Sequence, residues 1–127
     1  MTQSNSISDR ETSVEQLKAR VQEFVDQREW RKYHKPKNLA MSIAIEAAEL
    51  MELFQWADEN ESDAIIQEKL PSLEDELADI MVYCLSMANT VNIDISRAIV
   101  RKIAKNEHKY PVEQFKGVYK KPDKDVP

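Results

Sequence analysis

One glycine, one cysteine and two histidines in 127 residues restrict what this chain can be. A single glycine and only 7% aromatic residues argue against a sheet fold with many tight turns. The abundance of Ala, Leu, Ile, Met, Glu and Lys favours helices, so the expected class is all-α. The lone cysteine, Cys84, lies in the apolar run Met81-Val-Tyr-Cys-Leu. It leaves no partner for an intrachain disulfide and reads as a buried thiol in a reducing, cytoplasmic setting. No uninterrupted apolar run approaches the roughly 20 residues that span a bilayer, and Met1 to Thr12 lacks an apolar signal core, so a soluble protein without membrane contact is expected. The net charge of −5 argues against an extended contact with nucleic acid, whose backbone attracts basic surfaces. Neither His34 nor His108 stands three residues after a Glu, which disfavours the Glu-x-x-His pairs of four-helix di-iron proteins.

The length suits one domain. Polar ends at residues 1–12 and 112–127 read as mobile tails around a helical domain at 13–111. Val14, Leu17, Val21, Phe24 and Val25 recur with helical spacing, predicting a first helix from Ser13 to about Trp30. A connection, Tyr33-His-Lys-Pro-Lys-Asn38, follows, in which Asn38 is placed to cap a second helix over Leu39 to Ala57. That helix is apolar nearly all round, as expected where a helix is covered on several sides, and a lone chain of this size would struggle to cover it. Residues 58–71 read as a charged linker with one short helix near Ala64 to Lys69. Ser72 with Asp75 resembles a capping box for a third helix ending near Asn89, and Asp94 and Pro111 bracket a fourth.

Acids sit where they are least expected. Glu46-Ala-Ala-Glu49 and Glu76-Leu-Ala-Asp79 lie within the most apolar stretches, and residues three apart share a helix face, so four carboxylates can converge. Ionised groups packed among Met, Ile, Ala and Leu lose hydration and repel one another, at several kcal/mol per ion unless a positive charge compensates. An oxygen-only donor set selects a hard divalent ion, Mg²⁺ or Mn²⁺, over zinc or copper. The bland alternative is a pair of solvated acidic faces serving as salt-bridge partners in a noncatalytic helical oligomer.

Seven positions return a helix to nearly the same face, roughly 10.5 Å along its axis. Trp56 stands seven after Glu49, and Tyr83 four after Asp79 and seven after Glu76, so each acidic face carries an aromatic. Taken singly, either ring reads first as a core or interface aromatic and only second as a base-stacking group. Lys102, Asn106 and Lys109 fall at i, i+4 and i+7, a cationic and hydrogen-bonding stripe suited to phosphate oxygens or, alternatively, to the negative end of a helix dipole.

The series Glu46-x-x-Glu49 … Glu76-x-x-Asp79 resembles the signature of the MazG-like, all-α nucleoside triphosphate pyrophosphohydrolases. Arg28-Glu-Trp30, His34-Lys-Pro-Lys-Asn38-Leu, Phe54-Gln-Trp56, Tyr83 and Lys102 … Asn106 … Lys109-Tyr110-Pro111 are similar to the dCTP pyrophosphatase branch in particular. The resemblance covers about residues 14–111. It implies a four-helix-bundle-like fold assembling as a dimer or tetramer, with Mg²⁺-dependent cleavage between the α and β phosphates to a monophosphate and pyrophosphate. In that pattern Glu46, Glu49, Glu76 and Asp79 hold the metal, with Glu49 the choice for general base. Trp30 and Trp56 flank the base with Tyr83 nearby, and Lys102 and Asn106 bind phosphate or sugar. Lys109, Tyr110, His34 and Asn38 complete the implied substrate set, with Lys102 also offsetting charge on the leaving group. Val21 stands where some members of the branch carry a pocket histidine, which weakens the implication of a strict cytosine preference and admits a broader pyrophosphohydrolase.

Overall fold

The computed structural model describes residues 6–118. Its elements are α1 (Val14–Gln27), α2 (Pro36–Glu52), a 3₁₀ turn (Glu59–Glu61), α3 (Ser62–Val91), α4 (Ile95–Lys109) and α5 (Val112–Phe115), with no strand among the described residues. The expected all-α class holds. The chain forms two compact units that divide after Asn92, the first holding α1 to α3 and the second α4 and α5.

In the first unit both α1 and α2 pack on α3. Helix α1 begins in a capping box: the Gln16 backbone N–H donates to Ser13 Oγ at 3.1 Å, and the Ser13 N–H donates to Gln16 Oε1 at 2.7 Å, satisfying two otherwise orphaned donors. The helix stops at Gln27, short of the predicted Trp30, because Glu29 adopts a left-handed backbone conformation with φ 53°. The Trp30 N–H then reaches the Val25 carbonyl at 3.0 Å and the Glu29 N–H reaches that of Asp26 at 3.0 Å, the pairing of a Schellman closure. A non-glycine residue in this conformation costs about 1–2 kcal/mol, and the closure fixes where Trp30 emerges.

Helix α2 starts earlier than predicted. Pro36 occupies its first turn after an extended Lys35 (φ −81°, ψ 151°), which suits a residue with preset φ and no N–H to satisfy. Asn38 is therefore inside the helix rather than capping it, and its side-chain amide donates to the Tyr33 carbonyl at 3.1 Å. The helix also ends earlier, at Glu52. From Leu53 onward the N–H groups bond three residues back, Leu53 to Leu50, Phe54 to Met51 and Ala57 to Phe54. Trp56 therefore stands in a run of turns beyond the helix rather than on α2 itself.

The expected linker is largely helical. Helix α3 runs 30 residues with a kink at Lys69 (φ −117°, ψ 23°) and with Pro71 just beyond it. The short helix predicted near Ala64 to Lys69 is its first limb. Pro71 is tolerated because it falls in the opening turn of the second limb, where its missing N–H breaks no bond. That turn begins without the predicted Ser72 cap. Asn92, left-handed at φ 57° and ψ 49°, closes the far end.

Val21 and Val25 of α1, Leu39 of α2, and Leu85 and Ala88 of α3 form the buried apolar core. Leu39 is 1% exposed, but Met41, Ile45 and Met51 on the same helix are 54 to 62% exposed. Within one chain α2 is thus covered only in part. Cys84 is half-buried rather than fully buried, and burial pushes its thiol pKa up.

In the second unit, Asp94 caps α4 by accepting from the Arg97 N–H at 3.0 Å, and the helix closes at Tyr110 before Pro111, both as predicted. The short α5 lies in a stretch expected to be a tail, and Tyr110 meets Phe115 edge-to-face at 5.2 Å. At the other end, Ser8 to Thr12 form a hydrogen-bonded turn; residues 1–5 and 119–127 of the expected tails lie outside the described residues. No helix among those described is long and apolar enough to cross a membrane.

Candidate active site

Packing α2 against α3 brings acids from both helices together. Glu46, Glu49 and Glu76 each offer a carboxylate oxygen, and the three oxygens lie within 4.8 Å of one another. Glu46 and Glu76 are half-buried, and each turns its Oε2 inward with no hydrogen-bond partner. Burial, the adjoining Glu49 carboxyl and the charges of Asp79 and Glu76 push Glu46 up to about 7. Glu76 is raised as well, by burial first, then Glu49, then the charges of Asp79 and Asp75. Carboxylates so placed either share protons or take up a cation. All three donors are oxygens, and two of these carboxylates bury an oxygen with no hydrogen-bond partner, so the triplet fits a hard divalent ion.

Asp79 stands apart from the triplet. Its charge acts on Glu46 and Glu76, and it also lines a cavity of about 660 Å³ between α1 and α3. Leu17, Val21, Phe24, Met81 and Val82 supply most of the apolar wall, while Trp30, His34 and Tyr83 supply rings. Phe24 meets Trp30 edge-to-face at 5.8 Å and 79°. Trp30 and His34 lie 6.4 Å apart and 25° from parallel, and His34 and Tyr83 lie 6.2 Å apart at 30°. An apolar cavity with aromatic walls and a carboxylate at its rim accepts a flat, amphipathic molecule.

The sequence model of the MazG-like family matches residues 41–124. The chain belongs to this family. It is similar to the dCTP pyrophosphatase 1 of Rattus norvegicus, 32% identical over 109 residues, which are 84% of this chain and 64% of that protein. The Homo sapiens dCTP pyrophosphatase 1 is 30% identical over 103 residues, 80% of this chain and 61% of the relative. The chain thus spans less than two thirds of the length of these relatives. Among solved structures, a pyrophosphatase from Archaeoglobus fulgidus superposes with a TM-score of 0.76 at 41% identity, covering 84% of this chain and 99% of that one.

This MazG-like chain distributes the residues singled out from sequence unevenly. Glu46, Glu49 and Glu76 form one cluster, with Asp79 between it and the Trp30, His34 and Tyr83 rings. Trp56, in the turns after α2, is 90% exposed and does not line that cavity. Asn38 is exposed, with its amide engaged by Tyr33. Lys102, Asn106 and Lys109 lie along exposed positions of α4. Lys109 Nζ stands 5.5 Å from the Tyr110 ring centre, and the Asn106 carbonyl accepts from the Tyr110 N–H at 2.8 Å. These four belong to the second unit.

One residue escaped the sequence reading: Ser86, which is 4% exposed and 3.0 Å from His34 Nδ1 through its Oγ. Its signal was present, because Asp79, Tyr83 and Ser86 stand at i, i+4 and i+7 on α3.

Proposed function

We propose that this chain is a Mg²⁺-dependent nucleoside triphosphate pyrophosphohydrolase, with Mn²⁺ able to substitute. It cleaves the α–β phosphate linkage of deoxynucleoside triphosphates, dCTP or related and modified pyrimidine nucleotides foremost, in cytoplasmic house-cleaning of the nucleotide pool. The observation that carries this is the position of Asp79, whose charge bears on a cation-ready carboxylate triplet and which also lines an aromatic cavity. A triphosphate bound through its cation at one end and its base at the other needs these two features side by side.

Glu46, Glu49 and Glu76 would hold the ion, with Asp79 adding charge. When bound, Mg²⁺ neutralises phosphate oxygens and draws electron density from phosphorus. Glu49, which adjoins both other acids, contacts the attacking water rather than the ion in the chemical step and takes its proton as the new P–O bond forms and the bridge between the α and β phosphates breaks. The products are a nucleoside monophosphate and pyrophosphate, with the water's proton released on turnover. Trp30 and Tyr83 hold the base within the cavity and exclude water from it. Lys102 and Asn106, with Lys109 and Tyr110, are assigned to phosphate and sugar on the strength of the family pattern, Lys102 offsetting charge on the leaving pyrophosphate. Trp56 keeps its base-flanking assignment on the same ground. Its exposure, with that of Met41, Ile45 and Met51, supports a homo-oligomer, a tetramer ahead of a dimer, in which these side chains meet a second copy.

A broader specificity is favoured by one feature: Val21 gives the cavity an apolar wall where a polar group would read a base edge, and stacking alone carries no such code. Comparing the eight common nucleoside triphosphates at subsaturating concentration separates the two. A preference for dCTP supports the dedicated enzyme, and a flat profile supports the broad one.

A further inference from the structure

His34 does more than line the cavity. Its half-buried ring is the middle member of the Trp30–His34–Tyr83 file, and centroid spacings above 6 Å lie toward the outer limit of ring–ring attraction. Stacking alone therefore fixes this ring weakly. The anchor comes from α3, where Ser86 Oγ lies 3.0 Å from His34 Nδ1 across 52 residues of sequence. Ser86 is the buried polar residue of the described chain, and a buried hydroxyl stripped of its partner is costly. One hydrogen bond satisfies both groups, with either the Ser86 O–H or the His34 Nδ1–H as donor. Ser86 does not line the aromatic cavity. It lies in a separate polar recess of about 350 Å³, which His34 also borders. The histidine ring is thus a partition, with rings on its cavity side and an anchoring hydroxyl on the other.

We propose that Ser86 is a positioning residue, which holds His34 in register between Trp30 and Tyr83 and so sets the aromatic wall for a planar base without touching the substrate. This rests on the assignment of that cavity to the base of a nucleoside triphosphate.

The test uses the full chain and its variants Ser86→Ala, His34→Phe (ring kept, anchor lost) and the double variant, with thermal melting to verify folding. Steady-state constants are measured for dCTP and for base-free 2-deoxyribose 5-triphosphate. Ser86→Ala is expected to raise KM for dCTP about tenfold while kcat stays within about twofold, and to leave the base-free compound unaffected. The double variant should be no worse than His34→Phe alone, since both changes break one interaction. An unchanged KM for dCTP, an equal rise for the base-free compound, or additive effects would overturn the proposal. If the wild type treats the two substrates alike, the cavity assignment itself falls. Wild-type discrimination that survives Ser86→Ala removes the positioning role only. Should Ser86→Ala fail to fold, Ser86→Cys, which keeps nearly the same size and weakens the hydrogen bond, gives the same comparison.

Discussion

Glu46 and Glu76, on separate helices, each bury one carboxylate oxygen without a hydrogen-bond partner, and Glu49 adjoins both. In a metal-free protein this arrangement is an electrostatic liability, relieved by a proton or by a cation.

Its first consequence is a pH dependence of stability. Glu46 titrates at about 7 in the folded chain against an ordinary 4.5, and Glu76 shifts in the same direction. Between those values the folded state binds more protons than the unfolded state, so stability falls as pH rises through the window and levels off above it. Asp26, held low by its hydrogen bonds to Arg31 and Gln22, acts only at lower pH and in the opposite sense. Calorimetry in chelator should show the unfolding temperature dropping from about pH 5 to about pH 7. Mg²⁺ should raise it most at the upper end, because the ion replaces the proton. A temperature that climbs with pH across this range in chelator would contradict the assignment.

Glu49→Gln keeps the shape of the side chain and removes its charge and basicity. Turnover of dCTP should fall by about 10² or more, in line with the loss of a general base, while the circular dichroism spectrum and a cooperative melt are retained. Near wild-type Mg²⁺-dependent activity in this variant would remove Glu49 from the chemistry.

Trp30→Ala should raise KM for dCTP about tenfold, corresponding to the loss of one base-stacking platform, and Trp30→Phe should recover most of it. Equal constants for the two variants would show that ring area at this position is not used in binding.

How much of this was legible beforehand depended on whether a feature was local. The acids were found because three-residue spacing maps directly onto a helix face, and Asp94 and Pro111 marked the ends of α4 by their own backbone chemistry. Trp56 falls beyond α2 rather than on it, because the change to three-residue hydrogen bonding after Glu52 leaves no signature in a run as apolar as Leu-Phe-Gln-Trp. Trp30 sits where it does because Glu29 takes a conformation usually given to glycine, which composition argues against. Ser86 looked like one more small residue on α3, since its meaning comes from His34, 52 residues away. Asp79 differs from the three clustered acids in distance, which spacing along one helix does not encode.

The central claim, that the acid triplet and the aromatic cavity together serve hydrolysis of a nucleoside triphosphate at its α–β linkage, is met most directly by product identification. The chain is incubated with dCTP, with Mg²⁺ or with chelator, and its products are followed by phosphorus NMR. Equimolar dCMP and pyrophosphate formed only with Mg²⁺ is the predicted result. Orthophosphate released stepwise, or no turnover of any nucleoside triphosphate with Mg²⁺ present, would contradict it.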